Sequence, residues 1–174
     1  MIEIIIFSIG SLIIIWISLP SLRQPGSHGF YRFFAWEAIL GMLVINLQGW
    51  FFQPFSWHQI ISWVLLCLSL FPLIAGVTLL RKAGKPTDAL ESTTQLVQSG
   101  IFRFIRHPLY ASLLYLCWGI FFKFPSILGI CLAVISTAFL YATARADERE
   151  CLLKFGGEYD LYMKRTKRFI PFVF

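Results

Sequence analysis

Five long apolar runs divide the chain: Ile4 to Leu19, Phe33 to Phe52, Ile60 to Leu80, Leu109 to Phe122 and Ile127 to Ala144. Glu37 is the one charged residue inside them. Such runs exceed what the core of a small soluble domain needs, and a helix in lipid satisfies its own backbone. The pattern predicts an all-α integral membrane protein with five transmembrane helices. Beyond Ala144 the pattern changes. Cys151, Leu152, Phe155, Tyr159 and Tyr162 recur at helical spacing with charges between them, which predicts a C-terminal amphipathic segment on the membrane surface. Gly156-Gly157 is expected to break it into two short helices. There is no internal repeat, so residues 1–174 read as a single domain.

Two runs carry more detail. The first resembles a signal peptide in length, but no basic residue precedes it and Pro20 stands where a small-residue cleavage site would be; it reads as a retained helix. The fourth has 14 residues. At about 1.5 Å per residue it spans roughly 21 Å, short of a ~30 Å hydrocarbon core. Either helices 4 and 5 form a tight hairpin around Lys123-Phe124-Pro125-Ser126, or helix 4 starts below the headgroups and draws Arg106-His107-Pro108 into the bilayer. Pro108 suits a first helical turn.

Composition agrees with lipid as the solvent: 57% of the 174 residues are hydrophobic and 14% charged, against about a quarter charged in soluble domains. The net charge is +6, and the bases flank the apolar runs, which favours membrane orientation over nucleic acid. Of 15 Lys and Arg, all but Lys123 fall on one side of a five-helix arrangement. The positive-inside rule then places the N-terminus outside and the C-terminus in the cytosol. Cys67, Cys117, Cys131 and Cys151 show no CxxC spacing, and His28, His58 and His107 no HxxxH, so neither a disulfide frame nor a metal site is expected.

Two polar clusters lie on the basic side, residues 95–110 and Arg145-Ala146-Asp147-Glu148-Arg149-Glu150. The first can be a stop-transfer flank with interfacial aromatics, the second a solvated helix face. Against this, His107 is a polarisable group beside a helix N-terminus, and the carboxylates stand where helix 5 leaves the bilayer.

The residues Leu96-Val97-x-x-Gly100-x-Phe102-x-x-x-Arg106-His107-Pro108-x-Tyr110, followed by Asp147-Glu148, Phe155-Gly156-x-x-Tyr159-x-x-Tyr162 and Arg168-Phe169-Ile170-Pro171, resemble the signature of the isoprenylcysteine carboxyl methyltransferase and phospholipid methyltransferase superfamily. The resemblance covers about Gly84 to Pro171. It implies S-adenosylmethionine as methyl donor, in a cytosolic pocket built from regions of about 84–110 and 143–171. The implied cofactor-binding residues are Gln95, Leu96, Val97, Gly100, Phe102, His107, Pro108, Tyr110, Asp147 and Glu148. His107 and Glu148 are the candidate catalytic residues, able to take a proton from an amine acceptor. No GxGxxG supports a Rossmann alternative.

The chain departs from the family at three places. Phe102 stands where a tyrosine is usual, Asp147-Glu148 where two glutamates are usual, and Thr143 where relatives often carry an arginine for the substrate. Arg145 is the nearest arginine, about 200° away around a regular helix. Arg145 and Glu37 are therefore the candidate substrate residues. The expected acceptor is lipophilic, an isoprenylcysteine-type carboxylate or a lipid. Two alternatives remain at this stage: an NADPH-dependent reductase of sterol-reductase type, and a non-catalytic membrane subunit.

Overall fold

The computed structural model describes residues 1–85 and 93–172; positions 86–92 of the expected cofactor region lie outside the described residues. Six α-helices follow in order: α1 (Ile2–Leu22), α2 (His28–Ile45), α3 (Trp57–Leu79), α4 (Pro108–Phe121), α5 (Ile127–Phe155) and α6 (Gly157–Arg165). A π-helical turn, Leu80–Gly84, prolongs α3, and short 3-10 turns occupy Leu47–Gly49 and Gly100–Arg103. The described residues contain no strand, only an isolated parallel bridge between Ile105 and Lys167. By length and composition, α1, α3 with its π turn, and α5 are each sufficient to cross a membrane, while α4 is apolar but short.

Helix boundaries depart from the apolar runs where local chemistry overrides hydropathy. Helix α1 continues through Pro20 to Leu22 rather than ending at Leu19. Helix α2 starts at His28, because the Ser27 side chain accepts a hydrogen bond from Phe30 N–H at 3.2 Å, and it stops at Ile45 rather than Phe52. Helix α5 runs 11 residues past Ala144 to Phe155. Good helix formers such as Ala, Arg and Glu fill that stretch, so the helix persists after the apolar pattern ends. The expected break does occur at Gly156, whose φ of +57° suits glycine. The piece before it is the end of α5, not a separate short helix.

The chain divides into two compact units: Met1–Cys67 with Leu114–Asp147, and Leu68–Leu113 with Glu148–Phe174. In the first, α1 packs on α2, where Ser11 Oγ donates to Glu37 Oε1 at 3.1 Å. Its interior includes Ala35, Met42, Cys117, Ile120 and Ala133, all fully buried.

The end of α4 has an unusual solution to its orphan carbonyls. Ser62 Oγ donates to Gly119 O at 2.6 Å and Asn46 Nδ2 to Ile120 O at 3.0 Å. His58 Nδ1 lies 3.1 Å from Phe122 O. Gln59 Nε2 reaches Gly49 O at 2.6 Å, Lys123 O at 3.0 Å and Phe52 O at 3.1 Å. Side chains thus cap a helix that ends among other protein groups. Lys123 is fully buried there. Its Nζ donates to Gln59 Oε1 at 3.1 Å and sits 3.3 Å from the Trp63 ring centroid and 5.2 Å from that of Trp50. A cation at a helix C-terminus, over two indole faces, is favoured by both dipole and quadrupole.

The second unit has its own core: Leu80, Val97 and Phe102, with Leu79, Ala83, Ile101 and Leu109 packed around them. Gly100, at φ +57°, leads into this core, and a Cβ there would stand 2.6 Å from Leu79 Cδ1.

Gln59 is the hub of the α4 cap, so its loss exposes more than the loss of the charge it holds. Gln59→Leu is expected to cost about 1–3 kcal/mol, the penalty of unpaired buried polar groups. Lys123→Met, which removes the charge and keeps the bulk, is expected to cost less than half of that. Thermal unfolding of the two purified variants in detergent checks this; equal losses would mean that the ammonium, not the amide, holds the cap.

Candidate functional site

The charged groups of the second unit converge on one carboxylate. Glu148 lies on α5, beyond its apolar part, and is 5% exposed. Arg106 approaches it with Nε at 2.9 Å and Nη2 at 2.9 Å, both on Oε1. Arg168 approaches with Nε at 3.1 and 3.2 Å from the two oxygens and Nη2 at 3.0 Å from Oε2. His107 Nε2 stands 3.5 Å from Oε1. Burial alone would raise the Glu148 pKa. Hydrogen bonds from His107 and Arg168, with the charges of His107 and Arg106, outweigh burial and hold it down at about 2.

Two backbone devices bring these side chains together. The segment after α6 runs parallel to residues 104–107: Arg106 N–H donates to Lys167 O at 2.8 Å, His107 N–H to Arg168 O at 3.1 Å, and Lys167 N–H to Phe104 O at 3.1 Å. This pairing sets Arg168 opposite Arg106 and His107. The second device is the end of α6. Arg106 Nη1 donates to Met163 O at 3.0 Å, and also to Thr166 O and Thr166 Oγ1, so one guanidinium caps the last carbonyls of α6 while binding Glu148. From the same helix Tyr162 donates its hydroxyl to Phe102 O at 2.7 Å, and burial pushes its phenol pKa up.

Aromatic groups adjoin the carboxylate. Tyr110, 2% exposed, stacks on His107 with centroids 5.4 Å apart and planes at 22°. The Phe169 ring lies 6.3 Å from that of His107. Pro108 is fully buried as the first residue of α4, in the first-turn position expected of it.

The structure therefore brings together His107, Pro108, Tyr110 and Glu148 from the sequence reading. Val97 and Phe102 are buried in the adjoining apolar core, with Leu96 half-buried beside them. Gln95 and Gly100 are exposed; Gln95 is held through its backbone N–H on Gly84 O at 3.3 Å. Asp147 is half-buried and is the last residue of the first unit. The candidate substrate residues do not join the cluster. Glu37 is engaged by Ser11 in the first unit, and Arg145 is exposed on an uninterrupted α5, which does not unwind to redirect it. Thr143 is fully buried and donates to Phe139 O at 2.7 Å. Arg106, Tyr162 and Arg168 were not among the predicted site residues. The signal for them was present in the two family-like motifs, each of which contains an arginine beside the residues assigned. Among the described residues no group of His, Cys, Asp and Glu could hold a metal ion.

Comparison with known proteins concerns the sequence that carries this cluster. Residues 36–157 match the phospholipid methyltransferase family. Over 95 residues, 53% of this chain, the sequence is 32% identical to the delta(14)-sterol reductase of Mus musculus. The match spans 23% of that longer protein. No solved structure matches the chain. With 122 of its 174 residues inside the family match, including Arg106, His107, Tyr110 and Glu148, the chain belongs to the phospholipid methyltransferase family, part of the isoprenylcysteine carboxyl methyltransferase-like superfamily.

Proposed function

We propose that this protein transfers a methyl group from S-adenosylmethionine to a lipophilic acceptor at the cytosolic boundary of its membrane. The observation that carries the reading is the buried Glu148 clamp, which gathers His107, Tyr110 and Arg106 from family-matched sequence together with Arg168 from beyond it. The residues present fit the cofactor. Aromatic rings such as Tyr110 and Phe169 are of the kind that suits a sulfonium, and the positive charge of Arg168 suits a carboxylate. When bound, S-adenosylmethionine supplies an electrophilic methyl on a good leaving group. The protein then has to align the acceptor, exclude water and manage a proton.

Glu148 and His107 divide that last task. A carboxylate held near 2 by His107 and two arginines is a poor base, so Glu148 acts by orienting its neighbours. His107 is the group that takes a proton from an amine acceptor, and Glu148 stabilises the resulting imidazolium. An acceptor that is already anionic needs neither. Thr143, spent on its own helix, cannot serve a substrate carboxylate as an arginine would. A lipid acceptor is therefore favoured over a prenylcysteine. The sterol-reductase match supports a second reading, NADPH-dependent reduction, which the same binding experiment separates.

Calorimetry on the purified protein is expected to show binding of S-adenosylhomocysteine and none of NADPH. His107→Ala and Tyr110→Ala should each weaken it at least tenfold, about 1.4 kcal/mol. Labelled methyl should pass to a membrane lipid extract and not to N-acetyl-farnesylcysteine. Binding of NADPH alone would overturn the reading in favour of reduction.

The proposed topology has five spans, the N-terminus outside and the C-terminus in the cytosol. In a cysteine-free background, Ser56→Cys is expected to label from the side opposite to Gln98→Cys and Lys164→Cys. Labelling of all three from one side refutes it.

A carboxyl with a depressed pKa stabilises the fold above its ordinary value and loses that contribution as pH falls through the folded value. The gap in thermal midpoint between wild type and Glu148→Gln should therefore be largest at neutral pH. It should close as pH falls from about 4.5 towards about 2. A gap independent of pH would show that the clamp is not electrostatic.

A further inference from the structure

Helix α6 has two faces with different partners. Tyr159 and Tyr162 are buried, whereas Leu161 is 56% exposed and shares its face with exposed Lys164 and Arg165. The segment that follows alternates in the same way. Thr166 is buried, Lys167 exposed, and Arg168 turned to Glu148. Phe172, 82% exposed, lies edge-on to Phe104, 46% exposed, with ring centroids 6.1 Å apart. Three large apolar side chains thus stand in the open beside three cations. The acids of α6 are already engaged: Asp160 with Lys164 at 2.6 Å, and Glu158 with Gln98 at 2.8 Å. Counting both acids against the three cations leaves an excess of one positive charge.

Water is a poor partner for such a surface, and an acidic protein groove would not need the rings. A headgroup layer matches both features, since apolar tips enter the acyl boundary while Lys and Arg stay at the phosphates. Only Arg145 to Gly156 separates α6 from the apolar part of α5, a helix long and apolar enough to span a bilayer. We propose that the outer face of α6 and the segment after it, Leu161, Lys164, Arg165, Lys167 and Phe172 with Phe104, is a docking surface for anionic lipid headgroups. Because Lys167 and Arg168 are consecutive in the chain, headgroups that hold Lys167 also keep Arg168 seated on Glu148. The proposal stands whether the site transfers methyl groups or hydride.

The test places a photoreactive amino acid at position 161 of the full chain. The protein is reconstituted in nanodiscs of phosphatidylcholine, or of an equal mixture with phosphatidylglycerol. Position 70 on α3, whose leucine is 53% exposed, is the control for lipid contact in both discs. Position 161 is expected to yield several-fold more lipid adducts in the mixed discs, with phosphatidylglycerol enriched over its share. Molar salt and the K164E/R165E/K167E variant should each remove the enrichment. Equal adducts in the two discs, adducts to protein instead of lipid, or none at 161 where 70 reacts, would each overturn it. The disc and salt comparisons use the native charges and decide the matter even if the triple variant fails to fold.

Discussion

A carboxylate cannot be taken out of water unless cations and donors replace its hydration, and Glu148 imposes that demand on the whole second unit. Its oxygens accept from two arginines, and those arginines come from places far apart in sequence. Arg168 arrives only because the chain after α6 pairs in parallel with residues 104–107. Arg106 is in position only because its other nitrogens are occupied by the carbonyls that end α6. Lysine could not do this, since a single ammonium lacks the planar fork that serves a carboxylate and a helix end at once. The clamp therefore belongs to the tertiary fold as much as to the site.

The first unit meets a related demand with neutral groups. Helix α4 has only 14 residues, and its last carbonyls end among protein side chains. Ser62, Asn46, His58 and Gln59 answer those carbonyls from α3 and the end of α2. Lys123, the one base that broke the charge asymmetry of the sequence, is absorbed by the same arrangement. Its charge faces indole rings and an amide instead of water.

Hydropathy made the five apolar helices legible, along with the start of α4 at Pro108 and the break at Gly156. It misplaced the ends of α1, α2 and α5, because apolar runs report the solvent around a helix and not hydrogen bonding at its ends. The cap at Ser27 and the charged extension after Ala144 are local effects that a hydropathy window averages away. Of the cluster around Glu148, the family resemblance names His107, Pro108, Tyr110 and Glu148. Arg106 and Arg168 were visible but unassigned, since nothing in a one-dimensional pattern says that the tail lies beside residues 104–107. The division into two units has no compositional boundary, as α3, α4 and α5 each pass from one to the other.

The phase of α5 links its apolar and charged parts. Ala133, Ser136, Leu140, Thr143 and Ala144 are all buried, at the three- and four-residue steps of a single helical stripe. Glu148 is the next position on that stripe, four residues after Ala144. An unbroken helix thus sets the direction of the carboxylate by the same register that buries small residues in the apolar part. One residue inserted between them would turn Glu148 by about 100° relative to that stripe, while leaving the apolar run intact. The continuity of α5 beyond Ala144, which no apolar pattern required, is what carries register from the lipid-facing helix into the charged cluster. Arg145 lies about 200° from position 143 around the same regular helix, so it cannot stand in for an arginine there.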